Sequence, residues 1–263
     1  MGKDMDLPNI KGLILDMDGV LWREKTPIID MPATFKAIRQ RNLKVVLATN
    51  NSTRSPAAYQ SLIRSFGVEL DEWQILTSSL AVADLLYRRF PAGGPVYIVG
   101  ESGLEEALLE RGFYFSAQTP VAVVAGIDRQ ISFEKLKIAT LLIRSGVPFY
   151  GTNPDRTFPT PEGLIPGAGS ILAALETATD QSPIIAGKPH TALLEVSLQR
   201  LGTRPEETLM VGDRLETDIL GGQKAGCKTA LVLSGVSTHA QALQMQPPPD
   251  FITETLQTLV QIS

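Results

Sequence analysis

Short runs of apolar, often β-branched residues punctuate this sequence: Gly12–Leu15, Lys44–Ala48, Val96–Val99, Val121–Gly126, Val147–Tyr150, Pro183–Ala186, Thr208–Val211 and Thr229–Leu233. They are apolar almost throughout and do not alternate with polar residues. A strand written that way is covered on both faces, as strands of a parallel sheet are. Helical patterns fill the intervals. Ser55-Pro56 sets an N-cap serine before a proline at the first helical position and opens a helix through Ile63 to about Gly67. Ser132 opens another that runs to about Gly146, and a third covers Ser170–Thr177. Strand and helix in alternation predict an α/β fold, doubly wound in three layers around a mostly parallel sheet with right-handed crossovers. A last short strand is expected at Asp250–Thr253, after the loop Pro247-Pro248-Pro249.

Four of these runs end in polar groups. Asp16-Met17-Asp18-Gly19 follows the first, Thr49-Asn50-Asn51-Ser52 the second, Lys188-Pro189 the sixth, and Asp213-Arg214 the seventh, with Glu216 and Asp218 close behind. Ligands bind outside the carboxyl ends of strands in open parallel sheets. If all four strands belong to one sheet, their tips converge on one edge. Several carboxylates beside a lysine cannot all be ionised in a dry site without a countercation. Hard oxygen ligands suit Mg²⁺, and two histidines, His190 and His239, far apart in sequence, are too few for zinc. A hydroxyl, a lysine and backbone N–H groups suit the non-bridging oxygens of a phosphoryl group. Two aspartates at i and i+2 point the same way on an extended segment. One can attack phosphorus while the other handles a proton, so the set reads as phosphoryl transfer through an aspartyl-phosphate. Gly19 lets the chain turn and lets its N–H approach phosphate.

Composition removes other classes. The 263 residues allow one large domain or two modest ones, and 43% hydrophobic content is ample for a core. A net charge of −4 argues against a nucleic-acid partner. No apolar run approaches a membrane span, no signal-peptide pattern is evident, and a single cysteine, Cys227, favours a reducing compartment, so a soluble cytoplasmic protein is expected. Cys227 reads as a buried structural thiol. No P-loop is present, and Pro166-Gly167-Ala168-Gly169-Ser170 reads as a turn into the helix at Ser170, not as a dinucleotide fingerprint.

Taken together, these residues resemble the haloacid dehalogenase superfamily of phosphatases. Asp16-Met17-Asp18-Gly19-Val20-Leu21 matches its first motif, Thr49 its second, Lys188 its third, and Gly212-Asp213-Arg214-Leu215-Glu216-Thr217-Asp218 its fourth. Thr49-Asn50-Asn51-Ser52, Gly151-Thr152-Asn153-Pro154-Asp155, Pro166–Ser170 and Gly187-Lys188-Pro189 are similar to the p-nitrophenylphosphatase-like (NagD-like) branch. The resemblance implies that Asp16 is the nucleophile and a Mg²⁺ ligand. Asp18 would be the general acid/base and give its carbonyl to the metal, and Asp213 would be a further metal ligand. Asp218 would support the metal's waters, while Thr49, Asn50 and Lys188 would hold the phosphate. It also implies an α/β cap inserted in the core: residues 1–77 and 181–263 form the catalytic core and 78–180 the cap. The segment Asn153–Pro159 is expected as a loop after a cap strand, which makes Arg156 and Phe158 the expected substrate-selecting positions. The expected partner is a small phosphorylated metabolite such as phosphoglycolate, pyridoxal phosphate, a nucleotide monophosphate or a sugar phosphate. Relatives often form a homodimer through the cap. Two alternatives remain open at this point: a phosphotransferase or mutase with the same nucleophile, and a phospho-aspartate signalling or phosphate-binding protein.

Overall fold

A computed structural model describes Leu7 and residues 9–261, apart from Lys25 and Pro161. The chain folds as two compact units. One comprises Met1–Thr49, Pro56–Leu76 and Leu194–Ser263, the other Asn50–Ser55 and Thr77–Leu193.

In the first unit six strands form a sheet in the order Phe251–Thr253, Lys228–Val232, Thr208–Gly212, Gly12–Leu15, Lys44–Thr49, Ile75–Thr77. The pairings from Phe251–Thr253 across to Lys44–Thr49 are parallel. Successive side chains of a strand face opposite ways. Leu13, Leu15, Val45, Leu47, Leu209 and Val211 share one core with Phe35 and Ile38 of the helix Met31–Gln40 and with Ile63 of Pro56–Ser65. Leu231 packs on the other face, with Ile219 and Ala242. Helices therefore cover both faces, giving the three layers that the apolar runs imply. Ile14, between Leu13 and Leu15, is as fully buried as they are. Each such side chain contributes ~1.5–3 kcal/mol of transfer free energy. The helix Met31–Gln40 starts where Asp30 accepts the Ala33 N–H at 3.0 Å, with Pro32 in its first turn.

The second unit has its own parallel sheet, in the order Ile184–Ile185, Phe149–Gly151, Ala122–Ala125, Gly94–Val99, Phe113–Phe115. Val123, Ala125 and Phe149 pack against Ala139 and Ile143 of the helix Phe133–Arg144 and Leu172 and Leu175 of Ala168–Thr179. Ser132 caps the first of these helices, accepting the Lys135 N–H.

Three expectations need correcting. The run Pro183–Ala186 shares no sheet with the other three polar-tipped strands. It is the two-residue strand Ile184–Ile185, paired with Tyr150 and Gly151. Gly151 has no side chain to hold off its neighbours: a Cβ there would lie 2.6 Å from Leu172 and 3.5 Å from Ile185. The segment expected as a loop over Asn153–Pro159 contains half of an antiparallel hairpin, Thr157–Thr160 with Gly163–Pro166. The helix expected from Ser170 begins at Ala168. Among the described residues no helix is long and apolar enough to cross a membrane.

Candidate active site

The central strand Gly12–Leu15 does not end its ladder at Leu15. The Asp16 N–H donates to the Val211 carbonyl at 2.9 Å, which holds the aspartate at the carboxyl edge of the sheet. The chain then turns sharply. The Gly19 N–H donates to the Trp22 carbonyl at 2.7 Å, and the Leu21 N–H to that of Met17 at 2.8 Å. Gly19 has φ +83, and a Cβ on it would lie 2.5 Å from Asp213 Oδ2. Its N–H is thus committed to the turn. Gly19 also leaves room beside a carboxylate.

Asp213 follows the neighbouring strand Thr208–Gly212, and Asp218 lies in the single π-helical turn Leu215–Ile219. One carboxylate oxygen from each of Asp16, Asp213 and Asp218 lies within 4.8 Å of the others. Asp213 and Asp218 are each 2% exposed and Asp16 9%. Asp218 therefore stands beside the proposed metal ligands, whereas the Asp18 side chain is exposed and not part of this trio. Backbone donors aim the carboxylates: Val236 N–H donates to Asp213 Oδ2 at 2.8 Å and Arg214 N–H to Asp218 Oδ2 at 3.1 Å. Thr49, 4% exposed, ends the strand on the other side of Asp16.

The sequence reading missed the loop Ser234-Gly235-Val236-Ser237. Ser234 Oγ donates to the Gly19 carbonyl at 2.7 Å, and Ser237 N–H donates to the Asp213 carbonyl at 3.0 Å. A Cβ on Gly235 would lie 1.9 Å from Asp213 Oδ2. The loop thus ties the Asp16–Gly19 turn to Asp213. Its only signal is a Gly-Ser turn after the strand Lys228–Val232, where parallel sheets place ligand-side loops.

Three clustered carboxylates repel one another unless protons or a cation offset their charge. The donor set is all oxygen, and two glycines leave space beside Asp213, so the residues present fit Mg²⁺ and lack the nitrogen or sulfur ligands typical of zinc. Burial pushes the Cys227 thiol up to about 12, so it is no thiolate nucleophile at neutral pH.

The remaining predicted residues lie in the second unit. Lys188 is 1% exposed. The Asn50 amide bonds the main chain of Lys188 in both directions, with Nδ2 to its carbonyl at 2.9 Å and its N–H to Oδ1 at 2.8 Å. The Asn50 side chain is thus engaged with the Lys188 main chain. Arg156 is exposed and its carbonyl accepts from Gly167 N–H and Ser170 Oγ, while half-buried Phe158 faces Ile165 across the hairpin register.

Fold and acidic edge together define a class of hydrolase. The family model for haloacid dehalogenase-like hydrolases matches residues 13–114, and a second, HAD-hydrolase-like model matches residues 185–259. The chain belongs to the haloacid dehalogenase-like hydrolases. It is 35% identical to the 5'-nucleotidase YutF of Bacillus subtilis over 94% of this chain and 96% of that one. It is 36% identical to phosphoglycolate phosphatase 2 of Arabidopsis thaliana, over 97% of this chain and 93% of that one. The p-nitrophenyl phosphatase of Archaeoglobus fulgidus has a similar structure, with TM-score 0.90 and 34% identity over 96% of this chain and 99% of that one. Within the family the chain falls in the p-nitrophenylphosphatase-like branch, whose members are phosphoric monoester hydrolases.

Proposed function

We propose that the protein hydrolyses a small phosphate monoester with Mg²⁺, through an aspartyl-phosphate on Asp16, in the cytoplasm. The observation that carries this reading is the trio Asp16, Asp213 and Asp218, with an oxygen of each within 4.8 Å of the others at the edge of a parallel sheet. When bound among them, Mg²⁺ offsets their charge and polarises a phosphoryl oxygen. An Asp16 oxygen attacks phosphorus, the bond to the leaving oxygen breaks, and protonated Asp18 gives that oxygen its proton. Asp18, now ionised, takes a proton from the water that attacks the phosphorus of phospho-Asp16. Inorganic phosphate leaves and the Asp16 carboxylate is restored. The exposure of Asp18 supports this role, since such a group exchanges protons readily with solvent. Thr49, the Asn50 N–H and the Lys188 ammonium take the non-bridging oxygens. Choice of leaving group falls to the inserted unit, residues 78–180, acting as a cap, with Arg156 and Phe158 as the selecting side chains.

Relatives named for nucleotides and for phosphoglycolate support a small phosphorylated metabolite as substrate. A phosphate-release screen over phosphoglycolate, pyridoxal phosphate, nucleotide monophosphates and sugar phosphates tests the reading, run with Mg²⁺, with chelator and with Asp16→Asn. Turnover is expected only with the metal and to fall about a thousandfold or more in Asp16→Asn. Undiminished turnover in either arm refutes the mechanism.

A further inference from the structure

Four sequence segments meet in one hydrogen-bonded group of the second unit: Asn50, Gly151–Asp155, Pro166–Ser170 and Gly187-Lys188. The catalytic assignment gives most of their residues no role. The Asn50 carboxamide has a donor and an acceptor side by side, and it uses both on the main chain of Lys188. Gly187 makes the approach possible, because a Cβ there would lie 2.7 Å from Asn50 Oδ1.

Asn50 Nδ2 also donates to Asp155 Oδ2 at 3.0 Å, and Asn153 Nδ2 donates to the same oxygen at 2.7 Å. Asp155 thereby reinforces the orientation in which the Asn50 amide meets the Lys188 main chain. A flipped amide would set Oδ1 against a carboxylate, acceptor to acceptor, and would turn its NH₂ group toward the Lys188 N–H. Asp155 is itself anchored, since its carbonyl accepts the Gly169 N–H at 2.9 Å. A Cβ on Gly169 would lie 2.2 Å from the Pro154 carbonyl oxygen, so only a glycine brings the start of the helix Ala168–Thr179 this close. The Gly187 N–H completes the group by donating to the Thr152 carbonyl at 2.7 Å.

We propose that Asp155 and Asn50 are positioning residues for Lys188: Asp155 orients the Asn50 amide, and the amide holds the Lys188 main chain where its ammonium meets the phosphoryl group. The inference rests on the assignment of Lys188 as the phosphate-neutralising group. Neither residue contacts the leaving group in this account, so both act equally on every substrate.

The test uses full-length Asn50→Ala, Asp155→Ala, Asp155→Asn, Asn50→Ala/Asp155→Ala and Lys188→Ala, each checked for folding by thermal melting. KM is measured with p-nitrophenyl phosphate and with a nucleotide monophosphate, and inorganic phosphate is titrated as a competitive inhibitor. In both single alanine variants the phosphate Ki and both KM values are expected to rise together, by about tenfold. Asp155→Asn keeps an acceptor oxygen and is expected to stay near the unsubstituted protein. The double variant is expected to be no worse than Asn50→Ala, because the two residues act in series. If an alanine variant misfolds, Asn50→Asp, which removes both donors with little change of shape, is expected to give the same rise. An unchanged phosphate Ki in these variants, or a KM that moves for one leaving group only, overturns the proposal. An unchanged phosphate Ki in Lys188→Ala would instead overturn the assignment of Lys188. A rise in Lys188→Ala alone sinks only the positioning role.

Discussion

Asp16 and Asp18 are the same residue type, two positions apart, in different surroundings. Asp16 lies 9% exposed among acidic neighbours, while the Asp18 side chain is exposed. In the proposed mechanism Asp16, inside the trio, attacks as the carboxylate, and Asp18, outside it, carries the proton. The division has a kinetic consequence. A proton donor matters most when the leaving oxygen is strongly basic and little when it is an already stable phenolate. Asp18→Asn is therefore expected to lower kcat about 10²–10⁴-fold for an alkyl phosphate. It should lower the phosphorylation step much less for p-nitrophenyl phosphate, so a burst of p-nitrophenol before slow turnover is expected. Equal losses of that first step for both substrates would remove Asp18 from the role of acid.

At the scale of elements, the edge strand Phe251–Thr253 depends on Asp250. That carboxylate accepts the Thr229 N–H at 2.9 Å and Lys228 Nζ at 2.8 Å, stitching the edge strand to its neighbour. Partial burial pushes the Asp250 carboxyl up, but the Lys228 ammonium and the Thr229 hydrogen bonds outweigh it and hold the group below its ordinary value. A carboxyl depressed on folding stabilises the protein above its unfolded value, and the gain disappears as pH falls through the folded one. Asp250→Ala is expected to cost about 1–2 kcal/mol at pH 7 by urea unfolding. The gap should narrow in acid below about 3.8, the ordinary value for aspartate. A gap independent of pH would mean that the ionised carboxylate is not what holds the strand. Elements of this sheet were legible because burial on both faces leaves few polar residues inside a strand, and Gly12–Leu15 is bounded as expected. Pro183–Ala186 was legible as a strand but not by its sheet, since sheet membership is a tertiary contact that two isoleucines do not encode. The hairpin was hidden by Pro159 and Pro166, which disfavour a strand reading although an isolated two-stranded ribbon tolerates them at its open edges. Asp16 and Asp213 stood out as polar breaks after apolar runs. Ser234 did not, because its work is a hydroxyl on the Gly19 carbonyl, and a serine in a turn looks the same without it.

At the scale of the molecule, one chain builds two cores. Leu13, Val46 and Leu209 are buried in the first unit, and Val123, Ala139 and Leu172 in the second, each beneath its own parallel sheet. Separate cores are the condition for separate cooperative transitions. The proposed metal-holding residues Asp16, Asp18 and Asp213, and Asp218 beside them, all belong to the first unit. A cation binding only the folded form of that unit raises its stability by RT ln(1 + [L]/Kd), about 2.7 kcal/mol at a hundredfold excess over Kd. The two tryptophans, Trp22 and Trp73, also fall in the first unit, so their fluorescence follows its unfolding alone, whereas circular dichroism follows both units. Saturating Mg²⁺ is expected to raise the fluorescence midpoint and to leave a lower-lying fraction of the dichroism change unmoved. Asp213→Ala should abolish the rise. Coincident midpoints that shift together would show that the two cores unfold as one. An unshifted fluorescence midpoint in saturating Mg²⁺ would remove the cation from among these residues.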